Sequence, residues 1–122
     1  MLKDKLKEVL AHEGVVTIIS ANGGDYHVVN TWNSYVRMDG EQLLIPAAGM
    51  HSVEQDIAQN DQVLLTMGSR EVEGLKGPGT GFHVKGTAAF LTEGEKVDQM
   101  KQEFPFLTRV LVVTITDIQQ KI

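Results

Sequence analysis

The chain has 122 residues, 42% hydrophobic and 22% charged, with a formal net charge of −5 and no cysteine. That length suits one domain over residues 1–122 with enough apolar content to bury a core unaided. The lack of cysteine excludes disulfides, iron–sulfur clusters and thiolate zinc sites, and an acidic chain without a basic block argues against nucleic-acid binding or docking on an anionic membrane.

Met1 to Leu6 alternates charge with leucine and has no apolar signal region, and no run reaches bilayer-spanning length, so a cytoplasmic protein is the expectation. Leu2, Leu6, Val9 and Leu10 recur at helical spacing, which predicts an amphipathic helix over roughly residues 2–12, ended by Gly14. The β-branched run Val15–Ile19 reads as a buried strand. A turn at Asn22-Gly23-Gly24-Asp25 returns the chain antiparallel through Tyr26–Tyr35. A second hairpin follows, with a strand to Met38, a turn at Asp39-Gly40 and a strand over Gln42–Pro46. After a loop at Ala47–His51, Ser52 and Gln55 have capping-box spacing for a short helix. That helix buries Val53, Ile57 and, at its margin, Ala58, and stops near Asn60-Asp61. Val63–Met67 is the next strand. Gly68–Gly81 reads as a long connection or a distorted hairpin tip. Phe82–Leu91 is a strand in which Phe82, Val84 and Gly86 alternate with His83 and Lys85. A helix over Thr92–Gln102 is followed by Pro105, a final strand over Val110–Ile115 and a polar tail. The sum is an α+β, mainly β, chain of about six antiparallel strands in meander and Greek-key order, with short flanking helices, as in a small barrel.

Few residues suggest chemistry of their own. Serines 20, 34, 52 and 69 lack a nucleophile-elbow context. Of the histidines, His27, His51 and His83 occupy strand or loop positions that folding can bring together, but no pair has helical ligand spacing, and surface or capping roles are favoured over a metal. Gly77-Pro78-Gly79-Thr80-Gly81 lacks the ending of a phosphate loop and reads as a constrained turn. The helix start at Ser52 is a better anion candidate, because its first N–H groups carry the positive dipole end, although Glu54 and Asp56 oppose it. The unusual stretch is His27–Tyr35, where Asn30, Thr31, Asn33 and Ser34 crowd around Trp32 and Tyr35. An apolar plate rimmed by short donors and acceptors suits a flat, polar-edged ligand, and a solvated edge strand with a packed Trp32 is the plain alternative.

Asn30–Tyr35, Gly49-Met50-His51, Gly68-Ser69-Arg70 and Gly77–Phe82 occur in an order that closely resembles the pyridoxamine-phosphate-oxidase-like FMN-binding split-barrel flavoproteins. The resemblance spans essentially the whole chain, including Glu8-Val9-Leu10 and Glu13-Gly14-Val15-Val16. It implies a six-stranded split barrel, a homodimer and one FMN per subunit near the interface. The Asn30–Tyr35 strand, which includes Ser34, would line the flavin, with main chain and Asn30, Thr31 and Asn33 near its polar edge and phosphate side and Trp32 and Tyr35 close to the ring. Ala47, Ala48, Gly49, Met50, His51 and Ser52, with the helix start that follows, would hold the phosphate. An aromatic from the neighbouring subunit's late segment, here Phe106, and the C-terminal aliphatic residue, here Ile122, would approach the flavin. The family pattern Gly-Met-His-Lys-Thr-Glu is here Gly49-Met50-His51-Ser52-Val53-Glu54, so a lysine is replaced by Ser52 and a threonine by Val53. Uncompensated loss of one charge-assisted hydrogen bond would weaken FMN roughly ten- to a hundredfold. Arg70, Arg37 and His51 are candidates to restore the charge. Phe106 also replaces a family tryptophan. The resemblance implies an electron carrier acting with a redox protein partner, with no catalytic side chain and no metal. A flavin-dependent oxidoreductase and a barrel holding haem or another planar ligand are the alternatives.

Overall fold

The computed structural model describes residues 1–122 and contains seven strands and three α-helices. Helix α1 (Leu2–Leu10) precedes the hairpin β1 (Val15–Asn22) and β2 (Asp25–Trp32). A 3₁₀ turn over Asn33–Tyr35 leads to β3 (Arg37–Asp39) and β4 (Gln42–Ala47), then α2 (His51–Gln59), β5 (Gln62–Glu73), β6 (Pro78–Leu91), α3 (Glu95–Glu103) and β7 (Arg109–Gln120). All pairings are antiparallel, in the order β2-β1-β5-β6-β7-β4-β3, so the sheet remains open as a split barrel does.

Alternation along the strands builds two cores. Val16 and Ile18 of β1, Leu43 and Ile45 of β4, Val63, Leu65 and Met67 of β5, Phe82 and Val84 of β6, and Leu111 and Val113 of β7 meet in one cluster. The sheet therefore wraps around it, and α1 closes it with Leu6, Val9 and Leu10. The opposite parity, Leu44, Val110 and Val112, packs beneath α3 through Val97 and Met100 and is joined by Phe104 and Leu107. Each fully buried large apolar side chain contributes about 1.5–3 kcal/mol.

The expected elements are present with three corrections. There are seven strands rather than six, because Arg37–Asp39 pairs with β4 as a short strand of its own. Gly68–Gly81 is mostly strand: β5 runs on to Glu73 and pairs through Ser69↔Thr80, leaving a tip near Gly74–Gly77. Glycines there lower strand propensity, but a Cβ on Gly68 would lie 2.7 Å from the Thr80 carbonyl, so close pairing requires glycine. The polar tail is also strand, with Asp117–Gln120 completing the ladder to β6.

Candidate functional site

Strand β2 is a sheet edge, and its exposed face carries Tyr26, Val28, Asn30 and Trp32 at period two. Trp32 is 46% exposed, unusual for the chain's one tryptophan. Asn30 accepts a hydrogen bond from the Thr17 hydroxyl at 2.9 Å, while Thr31 points inward and is buried. Asn33 is fully buried in the turn that ends the strand. Its Nδ2 donates to the carbonyls of Val9 (3.3 Å), His12 (2.9 Å) and Gly68 (3.2 Å), tying α1 to β5, and its Oδ1 has no partner. Ser34 donates its hydroxyl to Glu13 at 2.8 Å and its N–H to the same carboxylate at 3.2 Å; these bonds hold Glu13 below the usual carboxylate range. Tyr35 packs its ring 5.2 Å from Phe104 and 5.6 Å from Phe106.

The loop after β4 has unusual main-chain geometry. Met50 adopts φ 64°, the one non-glycine residue in the left-handed region, and is the N-cap of α2. The expected Ser52–Gln55 capping box does not form, since α2 begins at His51 and no side chain caps it. The N–H groups of Gly49, Met50, His51, Ser52 and Val53 find no acceptor within the chain. Ala48, Gly49, His51 and Ser52 are exposed, Met50 is half-buried and Ala47 buried. Beneath the loop lies Arg109, bonded to the carbonyls of Ala48 and Gly49 and to Glu54. Thr108 N–H donates to the Ala47 carbonyl at 2.9 Å, which places the Phe106–Arg109 segment beside the same loop.

Arg70 and Ile122 meet elsewhere. Both line a cavity of about 530 Å³ with Glu13, Gly14, Gly68 and Thr80. Ile122 is anchored by Thr80, whose hydroxyl donates to its main-chain oxygen at 2.6 Å, and its side chain remains 63% exposed. Val15, the cross-strand partner of Trp32, lines an adjoining cavity with Gly68, Gly81 and Ile122. The candidate residues thus fall into groups: Arg70 and Ile122 at one cavity, Tyr35, Phe106 and the Ala47–Ser52 loop at another place, and Trp32 on the open edge strand.

The remaining candidates are spent on structure or stand apart. Arg37 pairs with Glu103 at 3.0 Å and lies over Phe104, whereas exposed Arg70 makes no ion pair. His27 contacts Asp56, His51 sits 4.0 Å from Glu54, and no group of three or more metal-type side chains converges. Ser20, Asp56 and His27 have the composition of a hydrolytic triad but not its geometry. Ser20 donates to Asp56 Oδ2 at 2.7 Å and His27 Nδ1 lies 2.8 Å from the same oxygen, so both side chains brace α2 against the β1–β2 hairpin. Sequence reasoning missed Arg109 and Asp56. The signal for Arg109 was its position two residues before Leu111, on the inward parity of an apolar strand.

The architecture is that of the split-barrel proteins. HupZ of Group A Streptococcus superposes with a TM-score of 0.80 at 15% identity, covering 98% of this chain and 94% of that one. An FMN-binding protein from Syntrophomonas wolfei superposes with a TM-score of 0.76 at 18% identity, covering 98% and 85%. At such identities the likeness concerns the fold. The chain belongs to the pyridoxamine 5'-phosphate oxidase family, whose description matches residues 2–122. It is also 42% identical over 121 residues, 98% of each chain, to the FMN-binding protein of Nitratidesulfovibrio vulgaris (strain DSM 19637 / Miyazaki F).

Proposed function

We propose that this protein is a homodimeric flavoprotein that binds one FMN per chain near the subunit boundary and carries electrons to or from a protein partner in the cytoplasm. The observation that carries the reading is 42% identity, along 98% of the chain, to a protein named for FMN binding. The residues fit the cofactor's two ends. Its phosphate suits the unpaired N–H groups of Gly49–Val53 at the positive end of α2. Its ring suits exposed Trp32, with Asn30 and the Thr31 main chain at the rim; such stacking contributes about 0.5–1.5 kcal/mol per aromatic pair beyond burial. Phe106 and Ile122 are apolar yet 50% and 63% exposed, as expected of side chains that a second copy covers. A dimer would bring Trp32 opposite the partner's Phe106 and Ile122.

FMN supplies one- and two-electron redox chemistry when bound, while the chain holds its phosphate, stacks on its ring and sheds water from it. Glu13, the carboxylate in the cavity beside Arg70, is engaged by Ser34, which holds it below the usual carboxylate range and makes it a poor proton donor. Mixing the FMN-loaded protein with excess NADH in air, where dioxygen reoxidises reduced flavin, and separately with a low-potential one-electron donor under argon, tests the carrier reading. A carrier shows no sustained NADH oxidation but is reduced at once by a low-potential one-electron donor. Steady NADH turnover identifies a flavin-dependent oxidoreductase instead, and a colourless protein that takes up no flavin overturns the flavin reading.

A further inference from the structure

We infer that Arg109 is the positioning residue of the phosphate end: it turns the main chain at Ala48–Met50 so that a row of N–H groups faces the anion, in a chain that has Ser52 and Val53 rather than a cationic side chain at the helix start. The inference rests on the FMN reading above. Arg109 opens β7 on the inward parity shared with Leu111 and Val113, is 8% exposed, and its guanidinium lies 4.8 Å over the Phe90 ring. Nε donates to Glu54 Oε2 at 3.1 Å, Nη1 to Thr108 Oγ1 at 2.8 Å and the Ala48 carbonyl at 3.4 Å, and Nη2 to the Gly49 carbonyl.

The consequence follows from peptide geometry. The chain has no cis peptide bond, and in a trans peptide the C=O and the next N–H point in opposite directions. Drawing the Ala48 and Gly49 oxygens onto the buried guanidinium therefore turns the N–H groups of Gly49 and Met50 away from it. Met50, at φ 64°, then joins them to the unpaired N–H groups of His51, Ser52 and Val53. Successive N–H groups around a left-handed residue form a concavity for anions. Glu54 offsets the guanidinium charge and keeps it seated, so Arg109 acts through the loop it braces. Lysine cannot reproduce this, because one ammonium does not span two carbonyls, a hydroxyl and a carboxylate in a fixed fork.

The test compares FMN with riboflavin, which lacks the phosphate, on the intact protein and on Arg109→Lys and Arg109→Gln. Both variants lose FMN affinity by about tenfold or more, the scale of one or two lost charge-assisted hydrogen bonds, while riboflavin affinity stays within about twofold. A parallel fall for both ligands, or an unchanged preference for FMN, overturns the inference. Inorganic phosphate, followed by amide NMR shifts of Gly49–Val53 in the unsubstituted protein, reads the loop without any flavin and does not depend on the variants folding. Saturable shifts at these amides that vanish in Arg109→Gln support the inference even where the flavin reading fails. No response at these amides, with no discrimination between FMN and riboflavin, overturns it.

Discussion

Asn33 donates one amide to carbonyls from the end of α1, from the loop after it and from β5, so a single residue closes the junction on which β2 ends. Replacing it by alanine strands those buried acceptors and opens a void, and Asn33→Ala is expected to cost about 2–4 kcal/mol in urea unfolding. A cost under about 1 kcal/mol contradicts the structural role. Gly14 is bound to the same junction, since a Cβ there would lie 2.8 Å from both Asn33 Nδ2 and the Gly68 carbonyl. The sequence reading placed Asn33 among the ligand-facing amides on its residue type and on the family resemblance, against the alternation of the strand. Alternation carries Asn33 to the buried side with Thr31, opposite Trp32, and the 3₁₀ turn that seats it there has no local signature. Arg109 was hidden for a similar reason, because its value lies in two carbonyls some sixty positions away in sequence.

At the scale of elements, α2 is held from behind by Asp56 and in front by Arg109. Asp56 is 2% exposed, and the hydrogen bond from Ser20 chiefly, then His27, outweigh the upward push of burial to hold its carboxyl below the usual range. A carboxyl more acidic folded than unfolded contributes stability above its unfolded value near 4, and that contribution fades as pH falls through the folded value. Asp56→Asn is therefore expected to be less stable than the unsubstituted protein at pH 7, with the gap narrowing toward pH 3 in thermal unfolding. A gap of equal size at both pH values would assign Asp56 a purely steric role. The helix itself was legible from Val53 and Ile57, but its start was not, because a left-handed Met50 replaces the hydroxyl cap that Ser52 seemed to offer. Of the two readings of Gly68–Gly81, a long connection or a distorted hairpin tip, the structure has the hairpin, with its strands longer than expected. Its glycines permit close strand approach, whereas in the sequence they mark only a break and do not say how far the strands continue.

For the whole molecule, the apolar runs of β1, β4 and β7, the alternation in β6 and the hairpin turns between strands were sufficient to expect a mainly β barrel with flanking helices. The apolar face of β2 is the feature a single chain leaves unexplained. Val28 is 60% exposed there, beside Tyr26 and Trp32, on a sheet edge of the kind that natural proteins cover or charge. If a second copy covers this face, sedimentation equilibrium gives twice the 13.4 kDa chain mass, and Val28→Asp shifts the equilibrium toward single chains and weakens FMN in parallel. A single-chain mass for the unsubstituted protein at tens of micromolar would remove the shared site. The central claim, that the chain binds FMN by its phosphate as well as its ring, is tested most directly by titrating flavin-free protein with FMN and with riboflavin and following visible absorption. The account predicts saturation at one FMN per chain, with FMN held at least about tenfold more tightly than riboflavin. Equal affinities, or no binding of either flavin, would contradict it.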